Sequence, residues 1–224
     1  FPNQYPKATY AAMVSYLDEN VGKMVALLKE KGLYKNTIIM FSSDNGPSYA
    51  GGTESPWFDS GKPFNSERGY GKGYLYEGGI RVPLIASWPG HIAAGSTSDH
   101  MSAMWDIFPT ICDLAQTPKP ENLDGISMIA ELTQNNTQEK HEYLYFEFPE
   151  YGGQRAIIWQ DMKALNLDLK KGNTDWMIFD LNKDIREQYD IAEQSAELVV
   201  QADSLWNMNH TTSFNKRWQY DLFD

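Results

Sequence analysis

The sequence predicts an α/β fold in which helices flank part of a doubly wound, mixed or parallel sheet, and a smaller α+β part follows. Two observations in the first part support this: a helical repeat of apolar residues before Gly32, and an uninterrupted apolar run at residues 37–41. Unbroken apolar runs are typical of strands that are covered on both faces. After His141, short strand candidates separated by turn residues replace this pattern. We therefore expect two domains, at residues 1–140 and 141–224.

The first part opens with a helix predicted over residues 9–31, which Gly32 ends. Its apolar residues share one face, and we expect that face to pack on the sheet. A strand around Ile38, a second strand from Ile80 to Trp88 and a helix over about residues 101–114 complete a βα pattern. The apolar residues of the first helix are Met13, Leu17, Val21, Met24 or Val25, and Leu28.

The second part contains four short strand candidates and a last helix. Glycine and polar pairs mark the turns between the strands, at Gly152-Gly153, Gln160-Asp161 and Gly172-Asn173. The strands are predicted at residues 143–148, 156–160, 162–167 and 176–181, and the helix at about residues 194–208.

A carboxylate and a carboxamide follow the first predicted strand. Asp44 and Asn45 lie in a turn just beyond its carboxyl end, which is the edge of an open α/β sheet where ligands bind. Hard divalent cations take oxygen ligands from Asp and Asn side chains. An Asp-Asn-Gly-Pro sequence alone is more often an ordinary turn than a metal site.

A glycine-rich loop supplies one lysine about 25 residues later. Gly69, Gly71 and Gly73 surround Lys72, and glycine allows the backbone to approach a ligand closely at an entropic cost. The lysine ammonium is a point charge suited to an anionic ester. Glu77 follows, and it either braces this loop or orients Lys72.

These segments occur in a recognisable order, with SSDNGP at residues 42–47, GKGYLYEGGIRVP at 71–83 and SWPG at 87–90. Their order closely resembles the type I sulfatases of the alkaline phosphatase superfamily, over roughly residues 5–126. The resemblance implies that Asp44 and Asn45 ligate a calcium ion and that Lys72 contacts the sulfate group. It also implies a small antiparallel sheet with a packed helix at the C-terminus. Two oxygen ligands are equally compatible with Mg²⁺ or Mn²⁺.

One part of the family pattern is missing from this sequence. Sulfatases carry a C-x-P-S-R motif whose cysteine becomes the formylglycine nucleophile, and an Asp-Asp pair that completes the calcium site, and this chain has neither. Its only cysteine, Cys112, lies on an apolar helical face and is expected to be a buried core thiol. We therefore expect the C-terminal portion of a sulfatase, inactive without the N-terminal half of the same protein, and by family habit periplasmic or secreted.

Substrate contacts are expected from two polar or aromatic segments. Glu147, Tyr151 and Gln154 flank a glycine turn on a hairpin and are placed to hydrogen-bond sugar hydroxyls, although hairpin tips are often simply polar. Trp57 lies between the two site motifs and is placed to stack on a sugar ring. The substrate is then a sulfated carbohydrate, with aryl sulfates as simpler substrates.

Composition excludes some functions and leaves others open. The formal net charge of −11 argues against nucleic-acid binding, which needs clustered Lys and Arg, and no apolar stretch is long enough to span a bilayer. Near the proposed site, Lys72, Arg68 and Arg81 supply local positive charge. Two alternatives remain: a noncatalytic sulfoglycan-binding or assembly module, and a phosphodiesterase or phosphonate hydrolase of the same superfamily.

Overall fold

The computed structural model describes residues 5–50, 53–135 and 137–224, which form a mixed α/β fold as predicted. The helices in these ranges are α1 (Lys7–Glu30), α2 (Ser55–Phe58), α3 (Glu77–Ile80), α4 (Ile107–Leu114), α5 (Ile129–Thr133) and α6 (Ala196–Asn209). The strands are β1 (Ile39–Ser42), β2 (Leu84–Ser87), β3 (Leu144–Phe148), β4 (Gln154–Trp159), β5 (Met162–Leu167) and β6 (Met177–Asp180).

The contacts divide the chain into two compact units. Among the described residues, the sheet unit comprises 5–9, 43–50, 53–82 and 143–224, and the helical unit comprises 10–42, 83–135 and 137–142. The last boundary between the units lies between Glu142 and Tyr143. Residues 43–82, however, group with the last segment rather than with their sequence neighbours, because Leu75 and Tyr76 are part of a core cluster of the C-terminal sheet.

The helical unit contains a two-stranded sheet, most of α1 and the shorter helices α4 and α5. Strands β1 and β2 pair antiparallel, with Ile39 opposite Ser87 and Ser42 opposite Leu84, whereas a mixed or parallel sheet was predicted for this part of the chain. The second strand is shorter than predicted, because α3 occupies the chain as far as Ile80. Cys112 on α4 is buried, which confirms the prediction of a core thiol.

Helix α1 behaves differently from the prediction. Its apolar face was expected to pack on the sheet, yet none of its residues is buried by the described parts of the chain. Met13, Leu17 and Met24 are each at least half exposed. No helix among the described residues has the length and apolarity needed to cross a membrane.

The sheet unit is built on a four-stranded antiparallel meander in the order β3-β4-β5-β6. Side chains alternate between its two faces, since successive strand residues point to opposite sides. Ile157 and Ala164 belong to the core cluster that includes Ala202 and Trp206 of α6. Ala156 and Leu165 belong to the cluster with Leu75 and Tyr76, so the opposite face carries residues 70–80.

Candidate functional site

The Asp44–Asn45 turn follows β1 in the chain and is held by its own side chains. The Ser43 hydroxyl donates to the Asn45 carbonyl oxygen at 2.8 Å, and Asn45 Nδ2 donates to the Gly46 carbonyl oxygen at 2.9 Å. The amide nitrogen of Asn45 is thus engaged, which leaves Oδ1 as the group for a cation. The carboxylate of Asp44 is exposed.

This donor set suits a hard cation. A carboxylate and an amide oxygen are the ligand types that Ca²⁺ takes, but Ca²⁺ needs about six to eight oxygens in total. Within residues 5–50, 53–135 and 137–224 there is no cluster of three or more His, Cys, Asp or Glu suited to a metal. Asp44 and Asn45 therefore fit the chemistry of two oxygen ligands for such an ion.

The glycine-rich loop packs tightly against this turn. A Cβ atom on Gly71 would lie 2.3 Å from the Pro47 carbonyl oxygen, and one on Gly46 would lie 1.8 Å from that of Gly78. Both approaches are possible only without a side chain. Lys72, between these contacts, is exposed.

Two backbone hydrogen bonds join the turn and the loop. Gly46 N donates to the Gly79 carbonyl oxygen at 2.8 Å, and Lys72 N donates to the Pro47 carbonyl oxygen at 2.9 Å. The structure therefore brings together the segments that carry Asp44, Asn45 and Lys72.

A buried ionic cluster anchors the far end of the loop. Lys163 on β5 contacts Glu77 Oε1 at 2.9 Å and Glu187 Oε1 at 2.8 Å, and Glu77 N donates to Glu187 Oε2 at 2.6 Å. All three side chains are at most 2% exposed. Of the two roles considered for Glu77, bracing the loop fits these contacts. We call Glu77, Lys163 and Glu187 the buried triad.

The pKa values of the two carboxyl groups of the buried triad are shifted in opposite directions. Burial alone would raise the pKa of Glu77, but Lys163 and then Arg81 together lower it. Burial raises the pKa of Glu187, because Lys163 offsets only part of its desolvation. One ammonium shared between two buried carboxylates produces this difference, since the second carboxylate is less fully compensated.

Sequence reasoning did not find Lys163 or Glu187. For Lys163, the only signal in the sequence was the presence of a lysine within the apolar strand candidate Met162–Leu167. Glu187 lies in a loop and has no sequence signal of its own. Only the tertiary structure brings it into contact with Lys163. Its backbone adopts a positive φ of 55°.

The four predicted substrate residues occupy different surroundings. Trp57 and Tyr151 are 54% and 65% exposed, and Tyr151 lies beside Tyr74 with ring centroids 5.7 Å apart. Gln154, in contrast, is fully buried, and its amide bonds to the backbone of Gly73 and Leu75. Trp57 and Tyr151 thus expose aromatic surface that a ligand could contact, whereas Gln154 does not.

Glu147 is already engaged within the sheet unit. Its carboxylate contacts His210 Nδ1 at 2.9 Å and accepts a hydrogen bond from the Tyr145 hydroxyl. Burial and then this hydrogen bond raise the pKa of Tyr145. His210 Nε2 in turn contacts Asp224 Oδ1 at 3.0 Å, so Glu147 belongs to an internal polar cluster.

A cavity of about 280 Å³ opens beside the loop. Its lining combines two aromatic rings, a proline, an acid and a cation: Tyr49, Trp57, Pro56, Glu54 and Arg68. Lys7 pairs with Glu54 at 2.9 Å, and Arg68 is the cation of the lining. Lys7 Nζ also lies 4.3 Å from the centroid of the Trp57 ring.

Comparisons with known proteins point to one family. Residues 2–117 match the Sulfatase family, and residues 66–213 match the C-terminal region of N-sulphoglucosamine sulphohydrolase. N-acetylgalactosamine-6-sulfatase of Rattus norvegicus is 33% identical over 146 residues, which are 62% of this chain and 26% of the relative. N-acetylglucosamine-6-O-sulfatase of Bacteroides thetaiotaomicron is 33% identical over 190 residues, which are 81% of this chain and 31% of the relative.

A solved structure shares the fold. The crystal structure of Ps i-CgsB in complex with k-i-k-neocarrahexaose superposes with a TM-score of 0.76 at 31% identity, and covers 94% of this chain and 46% of that one. The chain thus spans between about a quarter and a half of the length of the proteins it matches.

Proposed function

Because the chain belongs to the sulfatase family, we propose that it forms the metal- and sulfate-binding part of an enzyme that hydrolyses sulfate esters of a carbohydrate. The observation that carries this is the pair of backbone bonds between the Asp44–Asn45 turn and the Lys72 loop. These bonds hold two oxygen ligands and one ammonium group on adjoining backbone segments, as binding of a sulfate group beside a cation requires.

Lys72 is the residue assigned to the chemistry. Its ammonium contacts nonbridging oxygens of the sulfate group and stabilises the negative charge that builds up as the ester sulfur is attacked. The exposure of Lys72 leaves its side chain accessible to a ligand. The formylglycine nucleophile of the family belongs to another segment of the protein, so this chain alone is expected to be inactive.

Asp44 and Asn45 hold a divalent ion, which members of this family generally use. We assign calcium from the resemblance of this segment to type I sulfatases, and the same two oxygen ligands would equally hold Mg²⁺ or Mn²⁺. When bound, the ion supplies additional positive charge at the sulfate group.

The rest of the same protein is the partner proposed for the helical unit. The relatives are two to four times longer than the part matched here, and α1 exposes apolar residues that a further segment of the protein would cover. A periplasmic or secreted location is proposed by family habit.

A sulfated carbohydrate is proposed as the substrate, supported by the names of the relatives, which act on sulfated amino sugars, and by the oligosaccharide in the solved complex. Trp57 and Tyr151 are the proposed sugar contacts, because they are exposed and aromatic. Gln154 is assigned to holding the Lys72 loop, and Glu147 to the internal polar cluster with His210, since their polar atoms are already bonded within the sheet unit.

The reaction class is tested on the full-length protein that contains this chain. We expect turnover of an aryl sulfate to exceed that of the matching aryl phosphate. The reverse preference would favour a phosphodiesterase or phosphonate hydrolase. Binding of a sulfated oligosaccharide with no turnover of either ester would favour a noncatalytic module.

Replacing Asp44 with alanine is expected to remove the metal. Loss of a residue that only hydrogen-bonds a metal ligand weakens metal affinity by about 10- to 100-fold. Loss of a directly coordinating carboxylate should therefore weaken it by about a hundredfold or more. Elemental analysis of the full-length protein would measure the bound ion and identify it as calcium, magnesium or manganese. Asp221→Ala, which removes another exposed carboxylate of the sheet unit, is the control and should leave the metal content unchanged. Equal metal content in both variants would contradict the assignment.

Replacing Trp57 with alanine is expected to raise KM for a sulfated oligosaccharide. An aromatic stacking contact of about 0.5–1.5 kcal/mol corresponds to a rise of roughly two- to tenfold, with kcat little changed. Phe214→Ala removes an aromatic side chain that is 96% exposed and should leave KM unaltered. If both substitutions leave KM unaltered, Trp57 is not a sugar contact.

A further inference from the structure

The side chain of Gln154 hydrogen-bonds the backbone of the Lys72 loop. It lies at the start of β4 and is fully buried, so its amide has no access to a ligand in solvent. Nε2 donates to the Gly73 carbonyl oxygen at 2.8 Å, and Oε1 accepts from Leu75 N at 3.0 Å. One side chain thus satisfies a backbone acceptor and a backbone donor on the two sides of Tyr74.

These contacts fix the backbone of Lys72 on its C-terminal side. On the other side, Lys72 N donates to the Pro47 carbonyl oxygen at 2.9 Å, which ties the loop to the Asp44–Asn45 turn. Lys72 therefore lies between an anchor on the turn and an anchor on the sheet. A lysine has a flexible four-carbon stem, so the position of its ammonium depends on how well its backbone is held.

We propose that Gln154 is a positioning residue for Lys72, acting through the backbone of residues 73–75 rather than by touching substrate. This inference rests on the proposed function, in which Lys72 contacts the sulfate group. It makes the C-terminal sheet a part of the catalytic apparatus, since β4 sets the geometry of a loop that lies about 80 residues earlier in the sequence.

The alternation of the sheet provides a matched control. Gln154 precedes Ala156 by two positions and shares the face that carries residues 70–80. Asn166 on β5 is an equally buried amide, but it shares the opposite face with Ala164 and donates to the Asp175 carbonyl oxygen. Both substitutions remove a buried amide from the same sheet, and only one of them touches the Lys72 loop.

The test is a double-mutant cycle in the full-length protein, with kcat/KM for an aryl sulfate as the readout. Gln154→Met should lower kcat/KM by about tenfold when Lys72 is present, from two lost hydrogen bonds. In the Lys72→Ala background the same substitution should cost less than about twofold, because no ammonium remains to be positioned. Asn166→Leu should have the same effect in both backgrounds.

The outcomes separate the two proposals. If Lys72→Ala lowers turnover but the Gln154 substitution costs the same in both backgrounds, Gln154 is merely structural and the inference is overturned alone. If Lys72→Ala leaves turnover near normal, both proposals fall. Should Gln154→Met not fold, Gln154→Asn gives the same test, since its amide is one methylene shorter and loses the reach to Gly73 and Leu75 together.

Discussion

Replacing Lys72 with alanine in the full-length protein should lower turnover of a sulfate ester by about a hundredfold or more. This is the loss expected when one donor that stabilises developing negative charge is removed. The effect should fall mainly on kcat, because the charge on the nonbridging oxygens is greatest in the transition state. Steady-state kinetics with an aryl sulfate would measure it.

The control is a second exposed lysine of the same unit. Lys62 is ten residues earlier and lies outside the loop that contacts the Asp44–Asn45 turn, so Lys62→Ala should leave turnover unchanged. Metal content should be the same in both variants, since neither removes an oxygen ligand. Near-normal turnover of the Lys72 variant would refute the assignment of this residue, and equal losses in both variants would point to a general charge effect.

Replacing Lys163 with methionine should destabilise the sheet unit by roughly 3–5 kcal/mol. The substitution leaves the Glu77 and Glu187 carboxylates buried without their shared ammonium, and breaking a buried ion pair from one side has a cost of this size. The triad also secures the Glu77 end of the loop, so activity should fall together with stability. Equilibrium denaturation followed by tryptophan fluorescence would report it, because Trp159, Trp176 and Trp206 belong to the core of this unit.

An exposed ion pair provides the comparison. Lys183 contacts Asp180 at 2.6 Å but its side chain is 84% exposed, so Lys183→Met should produce no measurable change in stability. Replacing Glu77, Lys163 and Glu187 together with apolar residues should recover most of the loss, because no uncompensated charge then remains buried. A single Lys163 variant as stable as the Lys183 variant would show that the buried triad is not an ionic cluster.

Some elements of the fold could be predicted from the sequence with little error. The strand predicted at 162–167 has those bounds in the structure, and the helix predicted over 9–31 extends from Lys7 to Glu30. Both patterns depend on local periodicity, which the chain carries by itself. The strand predicted from Ile80 failed at its start, because the turn of α3 is stabilised by Glu77 contacts with distant residues.

The site was predictable to the extent that its residues form contiguous motifs. Asp44, Asn45 and Lys72 lie in such motifs, and their segments are bonded to each other in the structure. Gln154 and Glu147 were expected to contact sugar because they flank a turn. The burial of Gln154 and the hydrogen bonds of both side chains engage them internally, which no pattern at a single turn indicates.

The sequence by itself determined the family, the α/β class and the three residues proposed to bind metal and sulfate, since these depend on short motifs and local periodicity. Only the tertiary structure decided what holds those residues in place. Lys163, Glu187 and Gln154 lie about 80 to 110 residues from their partners. A charge or an amide acquires such a role only when folding removes it from water and leaves one partner within reach.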